Sequence, residues 1–334
     1  MKKILLVGCF ISSVLTGYAQ EFRFADSHIF KPQNKVISLF KNSSQKEIIL
    51  FKTNMAINTD GTPLSYHPYD LRADSIALNY ITNGVAIYRL SDSRCISIPK
   101  KEIDEYPKRF KSKVKFDPDR ITDTEKKEFI RLAYSVFEQW RDKGYPKEQI
   151  EGYEIIWQNV LVNDNGTPCI FTKNKRFAGF YGSMTAEKNG IVKDSSECKC
   201  ANQVDPFKIP SIVLNDKIKY GAALGDLVVA YNPANSKIVY GIIADEGPGD
   251  NLGEGSILMN MKLTGASIPD GQNAVKSLAV KDKIIICIVP KSRKFQLARP
   301  YTEENIKNRV LSWFVGEGYA TESDIIKMLE KNSL

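Results

Sequence analysis

Histidine is almost missing from this chain of 334 residues, which holds two, His28 and His67. His28 lies near the start, and His67 sits in the turn-like run Ser65-Tyr66-His67-Pro68-Tyr69. No Gly-x-Ser-x-Gly elbow and no His-Glu-x-x-His pair occurs, so serine and zinc hydrolysis lose their usual signatures. A Walker A loop and a Rossmann glycine pattern are missing too, which sets aside nucleotide hydrolysis and hydride transfer. Internal repeats and low-complexity tracts are also lacking. Beyond the first residues no apolar run is long enough to matter, which excludes a multi-span membrane protein. Disorder is excluded by the composition, 43% hydrophobic and 26% charged, since such a chain can bury a core.

What is present begins with a leader. Lys2-Lys3 precedes an apolar stretch over residues 4–14, and Thr16-Gly17-Tyr18-Ala19 supplies small residues for a cut after Ala19. That is the anatomy of a secretory signal peptide over 1–19, too short for a membrane span. Leu6-Val7-Gly8-Cys9 resembles a lipobox, but Cys9 comes too early, so secreted or periplasmic export is expected over lipid anchoring. Removing 1–19 takes two lysines and no acid, and the net charge falls from +8 to +6.

Five cysteines remain, Cys95, Cys169, Cys198, Cys200 and Cys287, an odd number. Cys198-Lys199-Cys200 lacks zinc-finger spacing and any matching His or Cys pair, so no metal is expected. One or two disulfides are expected, with one of Cys198 and Cys200 taking part. Cys287, within the apolar run 284–289, reads as a buried free thiol.

Apolar periodicity predicts strands at 46–58, 76–80, 85–90, 170–172, 179–184, 211–214, 226–231, 238–245, 256–263 and 283–289. Asn83-Gly84 reads as a hairpin turn between the second and third of these, and residues 232–237 as another between 226–231 and 238–245. The clearest helix lies between Thr122 and Lys143. Thr122-Asp123-Thr124-Glu125 is a capping box, and Phe129, Leu132, Ala133, Val136, Phe137 and Trp140 recur at helical spacing. Two more helices are expected at 303–315 and 322–330, and a surface connection at 102–118. Many short strands with few helices between them predict a β-rich α+β fold, a barrel-like core of antiparallel or mixed strands with peripheral helices. One catalytic domain is expected over 20–292, with a helical insertion at about 100–165. A helical extension, 293–334, is expected to pack on it.

With histidine and serine chemistry set aside, carboxylates remain. Residues 244–256, Ala-Asp-Glu-Gly-Pro-Gly-Asp-Asn-Leu-Gly-Glu-Gly-Ser, place Asp245 at the exit of one strand and Glu254 where the next begins. Such a pair facing across a groove is what an inverting glycosidase needs, with carboxyls about 6.5–9.5 Å apart and a water between. One donates a proton to the leaving oxygen and the other activates the water. Asp and Gly are also ordinary turn residues. A calcium loop is disfavoured, since the spacing lacks the EF-hand alternation.

Three elements in order, Gly225-Asp226-Leu227 with Asn232-Pro233, then Asp245-Glu246-Gly247-Pro248, then Gly253-Glu254-Gly255-Ser256, resemble the signature of the family-75 glycoside hydrolases, the fungal-type chitosanases. Asn58-Thr59-Asp60-Gly61, residues 179–185 and residues 209–214 are similar to its early and middle elements. The likeness covers residues 46–62 and 168–290, and leaves 100–165 and the tail from 292 as additions. It implies endo-hydrolysis of the β-1,4 glucosamine linkages of chitosan with inversion, by one Asp and one Glu and without a cofactor. Carried over, Asp245 is the base and Glu254 the acid.

Chitosan is a polycation, so Asp60, Asp70, Glu246 and Asp250 are candidates for holding its ammonium groups. Tyr66, Phe180 and Tyr181 are candidates for stacking on sugar faces. Trp140 and Trp313 read as core. The basic balance sits poorly with a cationic polymer, which keeps peptidoglycan or chitin open as substrates, and so is a non-catalytic carbohydrate-binding envelope protein. The expected partner is a polysaccharide, met by a monomer without stable membrane insertion. Nucleic acid is disfavoured, because the basic residues are scattered without an aromatic platform.

Overall fold

The computed structural model describes residues 19–92, 94–97, 122–147, 149–164, 166–218, 220–247, 251–267 and 272–333. Residues 1–18 of the expected 1–19 leader, the 102–118 connection and Asp250 lie outside the described residues.

The described chain opens with a hairpin of β1 (Arg23–Phe30) and β2 (Lys35–Lys41), followed by the long β3 (Glu47–Asn58). A loop leads to the single turn α1 (Ile81–Gly84), then β4 (Val85–Arg89), β5 (Arg94–Cys95), α2 (Asp123–Asp142) and β6 (Tyr153–Trp157). A small hairpin pairs β7 (Asn163–Asp164) with β8 (Thr167–Pro168). Next come β9 (Ser211–Asn215), β10 (Leu227–Asn232), β11 (Lys237–Gly247) and β12 (Glu254–Ser256). Helices α3 (Ile257–Thr264) and α4 (Gln272–Ser277), strand β13 (Val280–Val289), and helices α5 (Glu303–Gly316) and α6 (Glu322–Asn332) complete it.

Six strands close a barrel in the order β3-β12-β9-β11-β10-β13, and β13 returns to β3. The pairs β9–β11 and β3–β12 are parallel and the rest antiparallel, so the expected class holds: strand-rich α+β with a barrel core and peripheral helices. Val228 and Ala230 of β10 pack with Phe51, Ile212, Ile243, Ile286 and Ile288. Alternate residues from walls on every side meet only inside a closed barrel, so this set is the interior. Their neighbours Leu227, Val229 and Tyr231 pack with Ile306, Val310, Phe314 and Leu329, which places α5 and α6 on the outer wall. Helix α3 touches all six barrel strands, as an element seated across one barrel end does.

A second core lies beside the barrel. Phe129, Ala133, Val136, Phe137 and Trp140 of α2 pack on Val85, Ile87 and Ile155 of the β5-β4-β6 sheet. The Thr122 hydroxyl accepts the Glu125 N–H, and the Glu125 carboxylate accepts the Thr122 N–H, closing the expected box. Tyr66 and Tyr181 belong to this core, and the Tyr66 hydroxyl reaches from it to Asp60, just past the end of β3. Trp140 and Trp313 are buried, and Cys287 is a fully buried thiol whose burial pushes its ionisation up. A disulfide joins Cys169 to Cys198.

Three sequence expectations are corrected. Residues 76–80 form no strand, and Asn83-Gly84 no hairpin. The Asp70 carboxylate accepts the N–H groups of Ile76 and Ala77, and the carbonyls of Leu64 and Ser65 accept those of Leu78 and Asn79, so no ladder can form. The partner of β4 is β6 instead. Residues 257–264 are helical because Ser256 Oγ accepts the Met259 N–H and starts α3; an apolar run of that length fits either structure. Residues 170–172 and 179–184 make only isolated bridges, among them Ile170 to Tyr181 and Leu161 to Ser183.

Candidate active site

The β9–β11 register slips between Ile243 and Asp245, so that Ile243 faces Ile212 and Asp245 faces Val213. Ala244 is the extra residue of a bulge. Without it Asp245 would share the inward face of Ile243; with it, Asp245 points out of the barrel. Re-aiming a side chain is a common consequence of a bulge. The Ala244 carbonyl is satisfied from outside the sheet, by the N–H of Glu187 at 2.9 Å.

Gly255 of β12 faces Ile212 across an antiparallel pair. Extending that register by one residue sets Glu254 opposite Val213. Glu254, Val213 and Asp245 therefore occupy one rung of the outer wall, with the acids two strand spacings apart, about 9.6 Å at the backbone. Gly253 brings the chain in at φ 100°, and a Cβ there would lie 2.2 Å from the Asn54 carbonyl oxygen, so glycine is required.

Parallel pairing of β12 with β3 puts Asn58 opposite Ser256, at the same barrel end. The Asn58 side chain bridges two acids: its Oδ1 accepts the Asp60 N–H at 2.8 Å, and its Nδ2 donates to Asp245 Oδ2 at 3.2 Å. Asp245 Oδ1 accepts the backbone N–H groups of Ala186, at 3.1 Å, and Glu246, at 3.0 Å. Burial nevertheless holds the Asp245 carboxyl above its ordinary range, against these bonds and the nearby Lys188 ammonium. Burial also lowers the Lys188 ammonium, while Asp245 and Glu187 support its charge. Its Nζ donates to Gln203 Oε1, at 2.9 Å, and to the Thr185 carbonyl.

Asp60 follows Asn58 directly and keeps a small solvent-facing edge. Its Oδ1 accepts the Tyr66 hydroxyl at 2.7 Å and the Ser183 hydroxyl at 3.4 Å. Burial, then repulsion from Asp245 and from Glu254, push the Asp60 carboxyl up to about 8, although both hydroxyl bonds favour the anion. Gly61, with φ 95°, gives its N–H to Ser183 Oγ at 3.1 Å, and a Cβ there would sit 2.6 Å from Thr185 Cγ2.

Of the residues singled out in the sequence, Asp60, Tyr66, Asp245 and Glu254 come together. Glu246 is exposed beside Asp245. Asp70 does not join them. Its carboxylate accepts the N–H groups of Asp74, Ser75, Ile76 and Ala77, which outweigh burial and hold it below the usual range. Phe180 is buried edge-on against His67, with ring centres 4.8 Å apart, and Tyr181 is buried with its hydroxyl 2.5 Å from that of Tyr145. Both rings are core, and the exposed ring of this region is Tyr69, 72% accessible, with Arg141 stacked 4.3 Å from its centre.

Sequence reasoning did not single out Asn58, Ser183, the Ala186 N–H or Lys188. Asn58 carries a local signal, since Asn two residues before another turn residue favours an Asx turn. The other three come from segment 183–188, which the tail secures: Tyr301 Oη donates to the Glu187 carboxylate at 2.9 Å, and Arg299 pairs with it. Among the described residues no group of three or more His, Cys, Asp or Glu could hold a metal ion. None of their helices is long and apolar enough to cross a membrane. No protein-family model matches the chain, and no curated protein matches it.

Proposed function

We propose that this chain is an exported glycoside hydrolase that cleaves an amino-sugar polymer, with Asp245 and Glu254 as the acids the reaction requires. One observation carries the reading: the bulge at Ala244 turns Asp245 out of the barrel onto the rung occupied by Glu254, two strands away. That spacing suits carboxyls that must admit a water between them and attack with inversion. Export rests on the leader at 1–19 and is consistent with the Cys169–Cys198 disulfide. Chitosan, cut internally at its glucosamine linkages, is the substrate that the motif resemblance favours.

Glu254→Gln and Asp245→Asn are each expected to reduce oligosaccharide release from chitosan by at least about 100-fold, with the fold retained by circular dichroism. Undiminished release by either variant removes that residue from the reaction.

Lys188 favours a second reading. An ammonium beside Asp245 lowers the attraction of this place for a polycation, and the mature charge of +6 acts in the same direction. Chitin or peptidoglycan is then the better polymer. Product analysis on partly acetylated chitosan, chitin and peptidoglycan decides between the two, and binding to all of them without turnover leaves a carbohydrate-binding envelope protein.

A further inference from the structure

We propose that the proton donor of this site is Asp60, held in place by Tyr66, Ser183 and Asn58, and that Glu254 serves as the base. The inference rests on the reading of the cluster as a glycosidase site and changes the division of labour within it.

Asp60 and Asp245 are a close pair of acids linked through one amide, Asn58. Two neighbouring carboxyls removed from water hold one proton between them, because ionising both places like charges together in a poorly solvated region. The surroundings decide which acid keeps it. Asp245 is furnished as an anion: an amide N–H donates to Oδ2, two backbone N–H groups donate to Oδ1, and the Lys188 ammonium lies nearby. Among the described residues no backbone N–H and no cation hydrogen-bonds to the Asp60 carboxyl. Two neutral hydroxyls, from Tyr66 and Ser183, both bond to Oδ1, which leaves Oδ2 as the atom that carries the proton. The groups that act most on Asp60 are Tyr66 from its own loop, Ser183 from segment 183–188, Asp245 from β11 and Glu254 from β12, and the two charged ones among them are acids. Tyr66 is itself kept protonated by burial and by these acids, and is fixed by Asn79, which donates to its oxygen at 3.0 Å.

In the reaction the Asp60 Oδ2 proton passes to the glycosidic oxygen as its bond to the anomeric carbon breaks. A water oxygen bonds to that carbon from the opposite side, and the water's proton passes to the Glu254 carboxylate. Glu254 then releases this proton to solvent and Asp60 takes one back. Asp245 stays ionised, stabilises the positive charge that develops on the sugar ring, and raises the affinity of Asp60 for its proton.

Two measurements test this. Carboxyl-carbon NMR of the wild-type protein labelled at aspartate should show a resonance with a midpoint of about 8 that is lost in Asp60→Asn. Tyr66→Phe should move that midpoint upward, since the lost hydroxyl bond favoured the anion. Titration of Asp60 near about 4, the ordinary carboxylate value, overturns the proposal whatever the substrate is. In kinetics, Asp60→Asn should lose about 100-fold or more on the polymer. It should keep most of its rate on an aryl glycoside of the same sugar, whose phenolate leaves without a proton. Glu254→Gln should lose both activities. Polymer cleavage by Asp60→Asn at the wild-type rate, or rescue by the aryl leaving group in Glu254→Gln instead, overturns the donor role and leaves the glycosidase reading standing. A wild-type protein that cleaves neither substrate overturns both.

Discussion

Asp226 and Asp60 carry the same side chain at opposite ends of the barrel's logic. Asp226 has no exposure to solvent, and its carboxylate accepts three backbone N–H groups, from Ala223 at 2.9 Å, Lys291 at 3.1 Å and Arg293 at 2.8 Å. It ties the start of β10 to the turn after β13. Asp70 works in the same manner within its loop, with four such donors. Asp60 is held by two hydroxyls and faces two other acids. Burial pushes the Asp226 carboxyl up, against its three backbone N–H donors and the nearby Arg293, and those donors make it a fixed tie within the chain. A buried acid surrounded by hydroxyls and carboxylates is left with a proton it can give away. Burial alone does not separate the two cases; the identity of the donors does.

The comparison predicts that one kind of substitution has opposite signs at the two places. Asp226→Asn should cost the most, about 3–5 kcal/mol, because the amide NH2 meets buried backbone donors and cannot accept from them. Chemical unfolding of the purified variant measures it, and a cost under about 1 kcal/mol breaks the distinction. Asp70→Asn should cost less, about 2 kcal/mol, and should leave the Asp60 titration where it is. Asp60→Asn should instead be a gain, one that grows with pH. A carboxyl whose folded value is raised to about 8 contributes stability that is fully present below its unfolded value of about 4. That contribution is lost as pH rises through about 8. The variant lacks this loss, so melting curves should coincide near pH 4 and diverge with rising pH. By pH 9 the variant should melt at least about 2 °C above wild type. A wild-type advantage at pH 9 breaks the comparison from the other side.

How much of this was legible in the sequence follows from distance along the chain. Strands β3, β9, β10, β11 and β13 are runs whose burial shows in their own residues, and the hairpin at 232–237 is written in Asn-Pro and Asn-Ser. Helices α2, α5 and α6 announce themselves by apolar spacing, and each begins at a threonine whose hydroxyl caps it. The pairing of β4 with β6 was not readable, since the partners are separated by α2 and the near alternative, residues 76–80, has its N–H groups taken. Segment 257–264 was ambiguous because eight apolar-rich residues fit a strand or a short helix. In the candidate site, Asp245 and Glu254 stood out by their setting among glycines. The aromatic candidates Phe180 and Tyr181 did not reach the surface, because the folding of their segment onto Cys198 and Tyr145 cannot be read from the residues alone.

The sequence by itself determined the strand-rich class and the positions of most barrel strands, and it offered carboxylates as the candidates for chemistry, because composition and periodicity are local properties. The scarcity of histidine did as much as any motif to narrow the choice. Only the tertiary structure decided which acids meet. A single extra residue at Ala244 reverses the face of Asp245, a side chain from the end of β3 bridges it to Asp60, and a segment from 183–188 supplies the remaining hydroxyl and N–H donors. These contacts join residues distant in the chain, 187 positions apart for Asn58 and Asp245, 123 for Ser183 and Asp60 and 59 for Ala186 and Asp245, and an acid's proton affinity is set by neighbours of that kind as well as by the residues beside it in the chain.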